Sequence, residues 1–226
     1  MSRETTNPGP DAWMAVDAYL EGLFTDRDRS AAAVLRAQHD AGLPDISVSP
    51  LQGKLLAVLA HSIGAVRALE FGTLGGYSTL WLARALPAHG HVVSFERDPH
   101  HAATARANLE AAGVGHKVTI RVGEAISHIE TLADEDPFDI VFIDADKPNN
   151  VHYYEAALTR TRRGSLIIVD NVVRDGAIAE PRPDNPGVTG ARAVMERAAH
   201  DQRVDATVVQ TVGRKFYDGM LIATVL

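Results

Sequence analysis

Apolar and polar positions divide the chain into two regimes. From about residue 11 to residue 63 the apolar residues recur at helical spacing. Trp13, Val16, Tyr19, Leu20 and Leu23 fall on one side of a first helix, which Asp11 can cap and which runs to about Gly22. A second helix spans roughly 28–41 and is closed by Gly42, with Pro44 beyond it. A third follows Ser49-Pro50 and carries Leu51, Leu55, Leu56, Val58 and Leu59 to about Ile63. Residues 1–10, polar and holding Pro8, Gly9 and Pro10, read as a mobile arm.

From residue 66 continuous apolar runs alternate with helical stretches. The runs at 68–72, 91–96, 118–122, 140–144 and 166–170 recur every 20 to 27 residues, the spacing of successive βα units. Runs apolar throughout, rather than at every second position, suit a parallel sheet covered on both faces. After a loop with Pro181, Pro183, Pro186 and Gly187 comes a last helix, about 188–200. Two further strands, 206–212 and 220–225, are separated by residues 213–219, too few for a helical crossover, so this pair is antiparallel. The expected fold is α/β: a doubly wound sheet of seven strands, prefixed by helices over 11–63, in one domain spanning 1–226.

Composition narrows the function classes. The chain has 226 residues, 46% hydrophobic and 23% charged, as in an ordinary globular domain, and aromatics at 6% leave the core to Ala, Val, Leu and Ile. A net charge of −7 offers no footprint for nucleic acid or an anionic membrane. No apolar run is long enough to span a bilayer, and the N-terminus lacks the apolar core of a signal peptide, so a cytoplasmic protein is expected. The absence of cysteine excludes disulfides and thiolate chemistry and leaves oxygen or imidazole for any metal.

The first strand runs into a turn, residues 70–78, that reads EFGTLGGYS. Its glycines let the backbone approach a ligand, and the helix that follows offers free amides. The spacing is neither the dinucleotide fingerprint nor a P-loop. Glu70, just before the turn, would repel a pyrophosphate and attract a cationic or hydroxyl-rich ligand. Glu96 ends the second strand 20 residues after Gly76, where a carboxylate can accept the ribose hydroxyls of a nucleoside.

The fourth strand ends in Asp144-Ala145-Asp146-Lys147 and the fifth in Asp170-Asn171. Carboxyl ends of neighbouring parallel strands line one crevice, so Asp144, Asp170 and Asn171 converge as a hard oxygen set suited to Mg²⁺ or Ca²⁺. Lys147 can place an amine at the same spot as a general base. His100-His101, adjacent on a helix, diverge and read as surface residues.

The turn EFGTLGGYS, FIDADK at 142–147, Asp170-Asn171 and SPLQGKLL at 49–56 together resemble the cation-dependent S-adenosylmethionine O-methyltransferases, the family of catechol and caffeoyl-CoA O-methyltransferases. The resemblance covers about residues 45–226 and implies the class I methyltransferase sheet with its last strand antiparallel. It implies cofactor contacts at Val48, Glu70, Gly72, Thr73, Ser78, Glu96, Ala125 and Asp146. It further implies metal ligands Asp144, Asp170 and Asn171 for Mg²⁺, Ca²⁺ or Mn²⁺, Lys147 as base, a phenolic acceptor and a homodimer. Animal-type catechol enzymes frame their substrate with tryptophans where this chain has Pro44 and Asp146, so its pocket looks closer to the plant and bacterial branch. Two other functions share parts of this signature: methylation of a hydroxylated nucleoside in tRNA, and nucleoside binding without catalysis. The acidic balance argues against the first and the complete acid, amide and lysine set against the second.

Overall fold

The computed structural model describes residues 9–25 and 28–226. Most of the arm expected over 1–10 lies outside them; Gly9 and Pro10 already belong to the first helix.

That helix, α1 (Pro10–Phe24), starts two residues earlier than a cap at Asp11 suggested. Gly9 is its N-cap and Pro10 opens the first turn, where a missing N–H costs nothing, so Asp11 sits inside the helix without capping it. Helix α2 (Arg29–Asp40) is capped by Asp28, whose Oδ1 accepts from Ala31 N at 3.0 Å. Helix α3 (Pro50–Ser62) opens with a reciprocal cap: Gln52 N donates to Ser49 Oγ at 3.2 Å, and Ser49 N to Gln52 Oε1 at 2.8 Å.

Seven strands follow among the described residues: β1 (Arg67–Phe71), β2 (His91–Glu96), β3 (Val118–Val122), β4 (Phe138–Ile143), β5 (Thr161–Val169), β6 (Val204–Gly213) and β7 (Phe216–Val225). Their order is β3-β2-β1-β4-β5-β7-β6. The first five are parallel, and β7 runs antiparallel to both β5 and β6. The connecting helices are α4 (Tyr77–Ala85), α5 (Pro99–Ala111), α6 (Ala125–His128), α7 (Asn150–Thr159) and α8 (Pro186–Ala199).

The two-residue period of a strand sends alternate side chains to opposite faces. Ala68, Val92, Ile140, Phe142 and Ile168 pack with residues of α2 to α5, whereas Leu69, Phe71, Val93, Phe95, Val141 and Val169 pack with α7 and α8. Both faces are covered, as the apolar runs required. From β1 the chain winds outward through β2 and β3 and then returns to β4 on the other side. The crevice at the carboxyl ends of β1 and β4 is therefore the topological switch point, where open α/β sheets bind ligands.

The last hairpin is longer than the sequence suggested. Strands β6 and β7 pair up to Gly213 opposite Phe216, so only Arg214 and Lys215 form the turn. The tip is pinned to α1, since Arg214 N donates to Asp17 Oδ2 at 2.6 Å and Arg214 Nη2 reaches Glu21 Oε2 at 2.9 Å. Helix α1 otherwise leaves its apolar side open: Met14, Val16, Tyr19, Leu23 and Phe24 are all exposed. No helix among the described residues is long and apolar enough to cross a membrane.

Candidate active site

A cavity of about 540 Å³ opens at the switch point, and the ends of β1, β2, β4 and β5 all contribute to it. Gly72, at the end of β1, has φ +98°, and a Cβ there would overlap the Asp144 carbonyl oxygen. Only glycine lets the β1 turn approach the β4 end this closely, and Asp144 N donates to Phe71 O at 2.8 Å across the gap.

Glu96 holds the turn in place. Its Oε2 accepts from Thr73 N at 3.2 Å and Leu74 N at 2.7 Å, and its Oε1 accepts from Asp98 N at 2.9 Å. Glu96 also lines the cavity, and Oε1 keeps a lone pair for a ligand hydroxyl. Glu70 is placed differently. It is fully buried, does not line the cavity, and accepts hydrogen bonds from Ser78 Oγ, Thr79 Oγ1 and Ser94 Oγ at 2.6, 2.5 and 2.6 Å. Burial pushes its carboxyl up to about 7 despite the three donors. Its part is to fix Ser78, which does face the cavity, at the start of α4. Gly72, Thr73, Ala125 and Val48 line the same space.

At the other end stand Asp144, Asp146, Lys147 and Asn171. Lys147 Nζ donates to Asp144 Oδ1 at 2.7 Å. Asp170 is 2% exposed and lies outside the lining, and burial together with the Asp144 charge raises its carboxyl to about 7. Among the described residues no three His, Asp or Glu side chains are grouped to hold a metal; the ligand set that the resemblance implies is two carboxylates, Asp144 and Asp170, with the Asn171 amide oxygen. The donor chemistry fits a divalent ion, because two mutually repelling carboxylates beside a cavity are relieved by positive charge, and hard oxygens suit Mg²⁺. The open positions would fall to water or to acceptor oxygens.

Asp146 is tied to protein: Tyr153 OH donates to its Oδ1 at 2.6 Å and Asn149 Nδ2 to its Oδ2 at 2.5 Å. Tyr153 stacks on Phe71 at 4.8 Å and lines the cavity, which its place on an apolar helix face did not reveal. Burial and the Asp146 charge raise its phenol well above the usual range. The histidine pair also divides. His100 points to the Ala41 carbonyl, while His101 lines the cavity with Nδ1 3.6 Å from Glu96 Oε1. Asp218 turns away from the cavity, its Oδ1 accepting from Val173 N and Arg174 N at 3.0 Å each.

A doubly wound sheet with its last strand reversed, carrying a glycine-rich turn and an acid on the next strand, defines a class I methyltransferase. The pattern of the O-methyltransferase family matches residues 27–224. Catechol O-methyltransferase of Niastella koreensis is 46% identical over 213 residues, 93% of this chain and 96% of its own length. That of Mycobacterium tuberculosis is 48% identical over 210 residues, covering 93% and 94%. Among solved structures, an O-methyltransferase of Bacillus cereus in complex with SAH superposes with a TM-score of 0.93 at 44% identity, covering 96% of this chain and 99% of that one. One from Streptomyces achromogenes involved in tomaymycin synthesis, in complex with SAM, gives 0.92 at 42% identity, with coverage of 96% and 99%. The chain belongs to the cation-dependent O-methyltransferase family that its motifs resemble, and it is an O-methyltransferase.

Proposed function

We propose that the chain transfers the methyl group of S-adenosylmethionine to one hydroxyl of an ortho-dihydroxyphenyl small molecule, with a divalent ion such as Mg²⁺ bound by Asp144, Asp170 and Asn171. The observation that carries this reading is the arrangement of one cavity, with Glu96 and the glycine-rich turn at one end and Asp144, Lys147 and Asn171 at the other. The bound nucleoside supplies an electrophilic sulfonium methyl. The ion supplies Lewis acidity to a phenol whose free pKa is about 10.

The chain's own residues do the rest. Glu96 accepts ribose hydroxyls while holding the turn, and Val48, Ala125 and Ser78 wall the nucleoside. Lys147, whose Nζ lies 2.7 Å from Asp144 Oδ1, would act as the base: once its own proton has gone to solvent, its neutral amine would take the phenolic proton. The acceptor oxygen forms the new bond to the methyl carbon, and the carbon–sulfur bond breaks with its pair going to sulfur. Charge is neutralised in that step, so a cavity that excludes water favours it.

A small acceptor is preferred over tRNA because the dense basic cluster, Arg160, Arg162 and Arg163, is partly committed within the fold. Arg162 pairs with Asp139 at 2.5 Å and Arg160 donates to Ala133 O at 2.8 Å. We place the reaction in the cytoplasm. The exposed apolar side of α1 supports assembly as a homodimer; sedimentation of a chain lacking residues 1–27 as a monomer, against a dimeric full chain, is the expected result.

The activity test is methylation of catechol by wild type, Asp144→Ala and Asp170→Ala, with Mg²⁺ and with EDTA. Turnover is expected only for wild type with Mg²⁺. Full activity of both variants and under EDTA would sink the metal-assisted reading.

A further inference from the structure

The loop after β5 has a strained backbone. Asn171, Arg174 and Asp175 have φ values of 56°, 56° and 55°, in the left-handed region that costs energy for any residue with a Cβ. Hydrogen bonds from the last strand over-determine this conformation. Asp218 Oδ1 takes the amides of Val173 and Arg174, and Val172 N and Asp175 N donate to the carbonyls of Gly219 and Tyr217 at 3.0 Å each. Val172 and Val173 are buried beneath the loop. The main chain of Arg174 is thereby held in one place.

Its side chain is half-buried and lines the cavity on the Asn171 side. A Cβ on Gly187, in the first turn of α8, would lie 3.4 Å from Arg174 Nη2, so the guanidinium rests against that turn. Among the described residues this guanidinium has no ion pair and no hydrogen bond. The other cations of the cavity are provided for: Lys147 is paired with Asp144, and Arg97 is exposed to solvent. A half-buried, unpaired arginine on a fixed backbone is a ready partner for an anion, and its planar fork matches a carboxylate. Arg174 lies just past β5, three strands from Glu96 in the order of the sheet and three residues beyond Asn171. The anion we assign to it is therefore one carried by the acceptor, and a lost contact to the cofactor instead would lower turnover of every acceptor alike.

We infer that Arg174 selects acceptors that carry a carboxylate on the dihydroxyphenyl ring or on a short side chain, pairing with that carboxylate while the hydroxyls face Asp144, Asn171 and Lys147. This rests on the function proposed above. The cavity of about 540 Å³ must hold methyl donor and acceptor together, which keeps the acceptor small. Lys147 is already committed to Asp144, so Arg174 is the cation of this end of the cavity that is free to offset the desolvation of an entering carboxylate.

The test compares kcat/KM for protocatechuate, caffeoyl-CoA and neutral catechol in wild type, Arg174→Gln and Arg174→Lys. In Arg174→Gln the ratio of protocatechuate to catechol is expected to fall by about 10- to 100-fold, mostly through KM, the range of a lost charged hydrogen bond. Arg174→Lys restores part of the ratio, and the ratio of caffeoyl-CoA, whose carboxyl is esterified, to catechol stays put. An unchanged protocatechuate ratio overturns the inference. So does a fall seen only for the thioester, which would assign the guanidinium to phosphate. If wild type methylates none of the three, the proposed function fails by itself. Calorimetric binding of protocatechuate in the presence of S-adenosylhomocysteine and Mg²⁺ then decides for Arg174: weaker binding by Arg174→Gln supports it, and equal binding overturns it.

Discussion

Gly190 of α8 packs directly on the main chain of Lys147: a Cβ at position 190 would overlap the Lys147 carbonyl carbon and oxygen and crowd Pro148. The 3-10 turn Lys147–Asn149 is thus set by a helix more than forty residues further along the chain.

Gly190→Ala is expected to shift Lys147 away from Asp144. A displacement of about 1 Å at a reacting group can cost on the order of 100-fold in rate, and overpacking costs about 1–3 kcal/mol in stability. The expected pattern is a fall in kcat of at least about 10-fold, with the cofactor KM moved less, because Glu96 lies on β2, two strands from β4 in the sheet. A folded variant with wild-type kcat would show that the contact does not position the lysine.

Glu96 holds the glycine-rich turn, and Glu96→Gln tests the second task proposed for it, binding of the ribose hydroxyls. The amide keeps one oxygen for the Thr73 and Leu74 amides but loses the charge that strengthens every bond it accepts. Calorimetry with S-adenosylhomocysteine should show affinity reduced by about 10- to 100-fold, the worth of charged hydrogen bonds. An affinity within a factor of about two of wild type would remove Glu96 from the nucleoside site.

Asp201 offers a pH-dependent stability test away from the cavity. Its Oδ1 accepts from Arg203 Nε at 2.8 Å and its Oδ2 lies 3.1 Å from Arg197 Nη1, and the Arg203 hydrogen bonds lower its carboxyl to about 2 from an ordinary value of 3.8. The folded carboxyl titrates below the unfolded one, so its stabilisation is complete above about pH 4 and lost as pH falls through about 2. Both arginines are partly solvated, which limits the gain to about 1 kcal/mol. Urea unfolding should find Asp201→Asn less stable by that amount at pH 7 and the gap closing near pH 2. A gap of constant size across that range would assign the loss to packing instead.

Much of this protein is legible in its sequence. The apolar runs identify β1 to β5, because strands buried on both faces must be apolar throughout. The residues just past those runs, Asp144, Lys147, Asp170 and Asn171, are brought to one end of the sheet by parallel topology alone. Glu96 is found by the same reasoning. Less legible were side chains whose role depends on direction. Glu70 looks like a ligand contact from its place beside the turn, but it points inward to three hydroxyls. Tyr153 draws no reading from the sequence, yet its ring is buried while its hydroxyl reaches Asp146.

What the sequence determined by itself is the order of the elements, the covered parallel sheet and the chemistry gathered at its carboxyl edge, since all three follow from periodicities and strand ends that are local in the chain. What only the tertiary structure decided is which groups are paired and which are left over. The main chain of Lys147 packs on Gly190, the hairpin tip is pinned by Asp17, and Arg174 is held in place by Asp218 with its charge unmatched. Each of these joins residues that lie between 43 and 197 positions apart, and no local pattern records such a contact.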